Sequence, residues 1–234
     1  MFDRLKKVFG TSEKPAAQAT STAPLSSTDN AAAEWARSQG LSYASSSDGK
    51  GFVMTGRLLG KPWKLERGRS SRNYIHGEEL RARAELEISE DVSVLVMNRA
   101  LKESLEKRAY QMYTDTLQTT ADPNLPEEMR WLAMYEEVGW DALSPAFWER
   151  YSVLADDRGH AEVLIDVNLA ALMMSWPEPA PDAQVPFILM LMRGKSYLRM
   201  QYSPTDQATL AHAAMIFTTA SESAVDGLST DISL

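Results

Sequence analysis

The chain contains no cysteine. That absence removes disulfide scaffolds, thiolate zinc sites, iron–sulfur ligation and thiol nucleophiles together, and it is compatible with a reducing compartment. Histidine is scarce as well. His76, His160 and His212 each stand alone, with no second histidine three to five residues away, so metal-ligand spacing is missing and neither a metal nor a cofactor is expected. No serine lies in a GxSxG element or in an SxxK element with partner motifs, which leaves nucleophilic hydrolysis without support. Long apolar runs are lacking too. The longest, Val185 to Met192, contains Pro186 and ends at Arg193, far short of the roughly 18 apolar residues that a spanning helix requires. Positive charge is in deficit: 24 Lys and Arg face 32 Asp and Glu, a formal net charge of -8. A chain-wide attraction to phosphate backbones is therefore excluded, and no nucleic-acid partner is expected.

What remains is ample for a core. The chain has 234 residues, 44% of them hydrophobic, enough for one sizeable domain or two small lobes. Residues 1–10 read as a short basic amphipathic helix, with Phe2, Leu5, Val8 and Phe9 at helical spacing and Arg4, Lys6 and Lys7 between them. Charges at Asp3, Arg4, Lys6 and Lys7 interrupt any signal-peptide run, which predicts a cytoplasmic protein. The alternative for this segment is peripheral membrane contact through Phe2, Leu5 and Phe9. Residues 11–30, rich in Ser, Thr, Ala and Pro, read as a flexible linker. A single globular α+β domain is expected over 31–226, with lobes at about 31–120 and 127–226, and a tail over 227–234.

Within that domain the pattern is strands then helix, twice. Asp29 or Asn30 is placed to cap a helix over 31–38, with Trp35 on its buried face and Gly40 as its left-handed stop. Residues 51–60 and 63–67 read as a hairpin, and 79–88 alternate strictly: Leu80, Ala82, Ala84, Leu86 and Ile88 inward, Glu79, Arg81, Arg83 and Glu85 outward. Residues 92–97 form a continuous apolar strand, and 101–117 an amphipathic helix. Pro123 and Pro126 break the chain. Strands are then expected over 130–138 and 148–154, one helix over 156–174, a hairpin over 187–192 and 197–202, and a last helix from Thr205 or Asp206 to about Ala224. The sum is α+β, as two antiparallel sheets or one shared sheet with helices packed on it.

Charge is unevenly spread. Residues 57–83 hold eight Lys or Arg against three acids, and residues 121–182 hold three Arg against thirteen acids. Either the two regions pack together and neutralise one another, or they are two contact surfaces. The densest basic cluster, Lys64, Arg67, Arg69 and Arg72 around Gly68 and Ser70-Ser71, suits a carboxylate or phosphate, and Arg81 and Arg83 extend it. Its spacing is not that of a phosphate-binding glycine loop, and pairing with Glu66, Glu78 or Glu79 is the bland reading of the same residues. His76 beside Glu79 is a weak acid/base candidate, and His160 after Asp156 and Asp157 is another. His212, among alanines and leucine, reads as a structural histidine.

The runs GKPWKLERGRSSRNYIHGEELRARAEL (Gly60 to Leu86) and LPEEMRWLAMYEEVGW (Leu125 to Trp140), with EWARSQGLSYA before them, resemble an uncharacterised family of betaproteobacterial proteins. The resemblance spans most of residues 31–220 and implies a bacterial cytosolic setting; no activity or site residue comes with it. The expected function is a non-catalytic binding or adaptor protein with a basic contact loop and an acidic half, whose partner is a protein or a small anionic ligand. Two alternatives stand beside it: a small enzyme acting on an anionic metabolite, and a membrane-associated protein.

Overall fold

Period-two alternation in the first third of the chain builds one part of a single large sheet. The computed structural model describes residues 27–46, 50–115, 127–203 and 205–229. In β2 (Phe52–Leu58), β3 (Lys61–Arg69) and β4 (Glu78–Glu85), the side chains of Phe52, Met54, Trp63, Leu65, Leu80, Ala82 and Ala84 are buried on one face. Thr55, Lys64 and Arg83 are exposed on the other. Two-residue turns set the registers. Leu59 and Gly60, both at positive φ, join β2 to β3 with Leu58 paired to Lys61. Arg193 and Gly194, also at positive φ, join β8 (Phe187–Met192) to β9 (Lys195–Gln201). Left-handed central residues give the turn a twist that matches that of the strands.

β5 (Ser93–Asn98) is buried at all six positions and pairs with β8 on one side and β7 (Tyr151–Ala155) on the other. With β1 (Ser42–Ser45) and β6 (Glu136–Val138) at the edges, the nine strands run in the order β1-β2-β3-β4-β9-β8-β5-β7-β6, and every neighbouring pair is antiparallel. The protein is thus α+β with one shared sheet. β9 and β8, from the second half of the chain, lie between β4 and β5 from the first.

The two faces of the sheet are covered unequally. α1 (Ser27–Ser38), α4 (Pro145–Arg150), α5 (Arg158–Leu164), α6 (Val167–Met174) and α7 (Gln207–Leu228) pack on the first face and form the main core with it. Ile216 and Phe217 of α7 are fully buried there, and the Phe217 ring stacks on Trp63 of β3. α2 (Arg99–Asp115) and α3 (Glu127–Met134) form a second, smaller core on the other face. Leu101, Leu105 and Trp131 sit there over Leu95, Met97, Leu154, Ile188, Met190 and Met192 of β5, β7 and β8.

Several elements differ from expectation, each for a local reason. Residues 130–138 are not a strand: α3 runs to Met134, its first turn acidic through Glu127 and Glu128, and only Glu136–Val138 is extended. Residues 148–150 belong to α4, because Ser144 caps it by accepting from the Phe147 N–H and Pro145 suits its first turn. The expected single helix over 156–174 is two. Asp166 accepts from the Leu169 N–H and starts α6 anew. α1 begins at Ser27, so residues 27–30 of the expected linker are helical, and Asp29 is buried inside the first turn instead of capping at the end. α7 extends to Leu228. The opening helix with Phe2, Leu5 and Phe9, the rest of the linker, the proline break at 121–126 and residues 230–234 lie outside the described residues. Among the described residues no helix is long and apolar enough to cross a membrane.

Candidate functional site

The residues that the sequence groups as one basic cluster are distributed by strand geometry to different places. Lys64, Arg81 and Arg83 share the less covered face of the sheet, because Lys64 pairs with Arg83 and Glu66 with Arg81 across β3 and β4. Arg67 has the opposite parity. It is 7% exposed on the main-core face, with its guanidinium over the Phe52 ring and ion-paired to Asp29 at 2.9 Å and Glu78 at 3.3 Å. Arg69 is exposed at the end of β3. Arg72 leaves the sheet altogether and pairs with Glu127 and Glu128 of α3. Glu128 is almost wholly buried there, and Tyr74 donates to the same carboxylate at 2.9 Å. Burial and the adjoining Glu128 charge together push the Tyr74 phenol well above its usual range. This is one point where the basic first half and the acidic middle of the chain neutralise each other.

Glu79 is fully buried. Its carboxylate takes the Ser71 N–H at 2.9 Å and is ion-paired to Arg199 at 3.0 Å and Arg81 at 3.8 Å. His76 is exposed, its backbone N–H given to the Gln201 side chain, and its ring has no partner among the described residues. The weak acid/base pair of His76 and Glu79 is therefore not assembled: one group is closed in among cations, the other faces solvent. His160 does meet a carboxylate, with Nδ1 at 3.1 Å from Asp156, whose other oxygen accepts the Ser93 N–H at 3.0 Å. No hydroxyl bonds the ring among the described residues, so a nucleophile is missing from that arrangement. His212 donates from Nε2 to the Leu172 carbonyl at 2.9 Å; burial lowers its pKa, and that bond offsets part of the effect. Among the described residues no group of three or more His, Asp and Glu is gathered as a metal would need.

One polar feature with room for a ligand is the uncovered half of the second sheet face. Where α2 and α3 stop, β2, β3, β4 and β9 present Arg57, Lys64, Arg81, Arg83, Lys195 and Arg199 against three carboxylates, Glu66, Glu79 and Glu85. Pairing is dense but local: Lys64 to Glu66 at 2.9 Å, Arg81 to Glu66 at 2.9 Å, Arg83 to Glu85 at 2.5 Å and Lys195 to Glu85 at 3.3 Å. The Glu85 carboxyl is held below its ordinary value by the Arg83 bond first and Lys195 second. A groove of about 880 Å³ runs over this face beside β1, lined by Ser42, Thr55, Arg57, Lys64 and Arg83 and reaching Gly56, Leu41 and Trp63. Arg57, Arg199 and Lys195 went unassigned in the sequence, although alternation in Lys195–Gln201 places Lys195, Tyr197 and Arg199 on one face.

No protein-family model matches the chain, and no curated protein is similar to it in sequence. Among solved structures, the crystal structure of the mycobacterial trehalose monomycolate transport factor A, TtfA, is similar over 84% of this chain and 94% of that chain, at 12% sequence identity and a TM-score of 0.48. At that distance nothing about binding or activity passes from it to this chain.

Proposed function

We propose that the protein is a non-catalytic binding or adaptor protein and that the uncovered half-sheet is its contact surface. The observation that carries this reading is the uneven covering. One face is packed by five helices and half of the other by two, while the remaining strands carry six cations and two accessible carboxylates, Glu66 and Glu85, with Glu79 buried among Ser71, Arg81 and Arg199. Of the basic residues singled out in the sequence, Lys64, Arg81 and Arg83 belong to this surface. Arg67 and Arg72 are tied to Asp29 and Glu128 and act as struts, with Arg69 at the margin. The closed environment of Glu79 speaks against the enzyme alternative, since a proton carrier must reach a substrate.

The test is photo-crosslinking in cells. A photoreactive amino acid replaces Thr55 on the uncovered half-sheet or, as comparison, exposed Ala171 on α6. Discrete light-dependent adducts from position 55 that are missing from position 171 are expected. No adduct at 55, or the same adducts from both positions, would overturn the assignment of the surface.

A further inference from the structure

We infer that the groove beside α4 binds a trimethylammonium group, its methyls resting on the Trp140 and Trp148 rings and its charge facing Asp141 and Glu149. The groove shares no residue with the charged half-sheet, so its failure would leave the reading above standing.

Its place follows from which acids of the 121–182 stretch are left free. Glu127 and Glu128 hold Arg72, Glu137 holds Arg99 and Lys102, and Asp157 and Asp166 cap α5 and α6. Asp141 and Glu149 are exposed, and their carboxylates have no hydrogen-bond or ion-pair partner among the described residues. Both border one groove of about 640 Å³, a volume inside the range of about 300–1,000 Å³ usual for small-molecule sites. The cation on its border is already engaged. Arg99 gives its Nε–H to the Trp148 carbonyl at 2.7 Å and pairs with Glu137 at 3.0 Å, which leaves the groove with negative charge to match.

A second observation is independent of charge. Trp140 and Trp148 line the same groove and stand edge to face, with ring centres 5.0 Å apart and planes at 83°. Phe147 backs Trp148 in another edge-to-face contact at 5.2 Å, and Trp140 is 8% exposed, so both rings are held in place before any ligand arrives. Leu143 and Pro145 add apolar wall. An indole face is negative relative to its edge and attracts a cation laid on it, tryptophan most strongly of the aromatic residues.

The lining also decides which cation fits. A hard metal ion needs a shell of oxygens, and among the described residues no group of three or more His, Asp and Glu is gathered. A guanidinium carries five N–H donors and a primary ammonium three, while the side-chain carboxylates on this lining are two, so donors turned toward the rings would lose water without gaining an acceptor. A trimethylammonium group brings charge without N–H groups. Its methyls can lie against indole and proline while the carboxylates balance it from the rim.

The experiment is saturation-transfer NMR on the full chain. The probes are choline, a short peptide carrying one trimethyllysine, and 3,3-dimethylbutanol, which has the shape of choline without its charge. Saturable binding of choline or of the peptide is expected, at least about tenfold tighter than that of the neutral alcohol. Choline alone would point to a free small molecule, the peptide alone to a modified protein side chain, and either supports the inference. The Asp141→Asn, Glu149→Gln double variant is expected to weaken binding about fivefold or more, and Trp148→Leu about tenfold with unchanged circular dichroism. Because the two carboxylates hold nothing else among the described residues, the double variant decides even where Trp148→Leu fails to fold. No saturable binding of either ammonium, equal binding of the alcohol, or unchanged binding by the double variant or by folded Trp148→Leu would each overturn the inference.

Discussion

The two halves of one sheet face contrast under the same backbone rules. Over β5, β7 and β8 the face is apolar, with Leu95, Met97, Leu154, Ile188, Met190 and Met192 under α2 and α3; over β2, β3, β4 and β9 it is charged and open. The strands differ accordingly. β5 and β8 are buried at every position, because both of their faces carry helices, while β2 and β9 alternate because only one does. Composition along a strand therefore reports how many sides of it are covered. It does so here within a single sheet.

The contrast can be tested by substitution. The largest loss is expected where the open half closes on itself. Glu79→Ala strands Arg199 and Arg81 beside a buried site, a loss of about 3–5 kcal/mol in urea unfolding. Lys64→Ala, 48% exposed in a local pair, is expected to cost less than about 1 kcal/mol. A small loss at Glu79 would mean that this corner is as open as the rest of the half-sheet. In the covered half, Leu95→Ala is expected to cost about 2–5 kcal/mol. An equal loss from Thr55→Ala would erase the distinction between the halves.

The smallest effect is a pH dependence from the helical side. Burial lowers the His212 pKa, so the folded protein binds this proton less readily than the unfolded chain. Its stabilising contribution is complete above the unfolded value of about 6.5 and is lost as pH falls from there through the folded value. Between about pH 7.5 and about pH 5.5 the urea midpoint of the wild type should therefore fall further than that of His212→Gln. Parallel lines for the two proteins would show that the imidazole is not responsible.

Much of the architecture is legible in the residues themselves. Strict alternation over Leu80, Ala82 and Ala84 identifies β4 and its inward face, and Arg193-Gly194 marks the turn between β8 and β9. The misread elements are short helices, α3, α4 and the α5–α6 pair. There eight or fewer residues give too little periodicity, and caps such as Ser144 and Asp166 decide instead. The site was legible only in part. Proximity in sequence grouped Arg67 with Lys64, but odd spacing from Lys64 and even spacing from Trp63 and Leu65 put Arg67 inside. The close approach of Leu41 and Trp63 to Gly56 depends on β2 lying against β3 beside Leu41, which no local pattern announces.

The two-residue turn at Leu59-Gly60 has a wider consequence than joining two strands. A slip of one residue between β2 and β3 would change the strand-to-strand alignment that sets Leu65 opposite Met54 and Lys64 opposite Thr55. A β3 turned over in this way would push Lys64 and Glu66 toward Phe217 and put Trp63 and Leu65 in water. The left-handed pair at the hairpin tip thus acts as a sorting device. It keeps oil and charge on opposite sides of a sheet whose outer half carries helices on one side only.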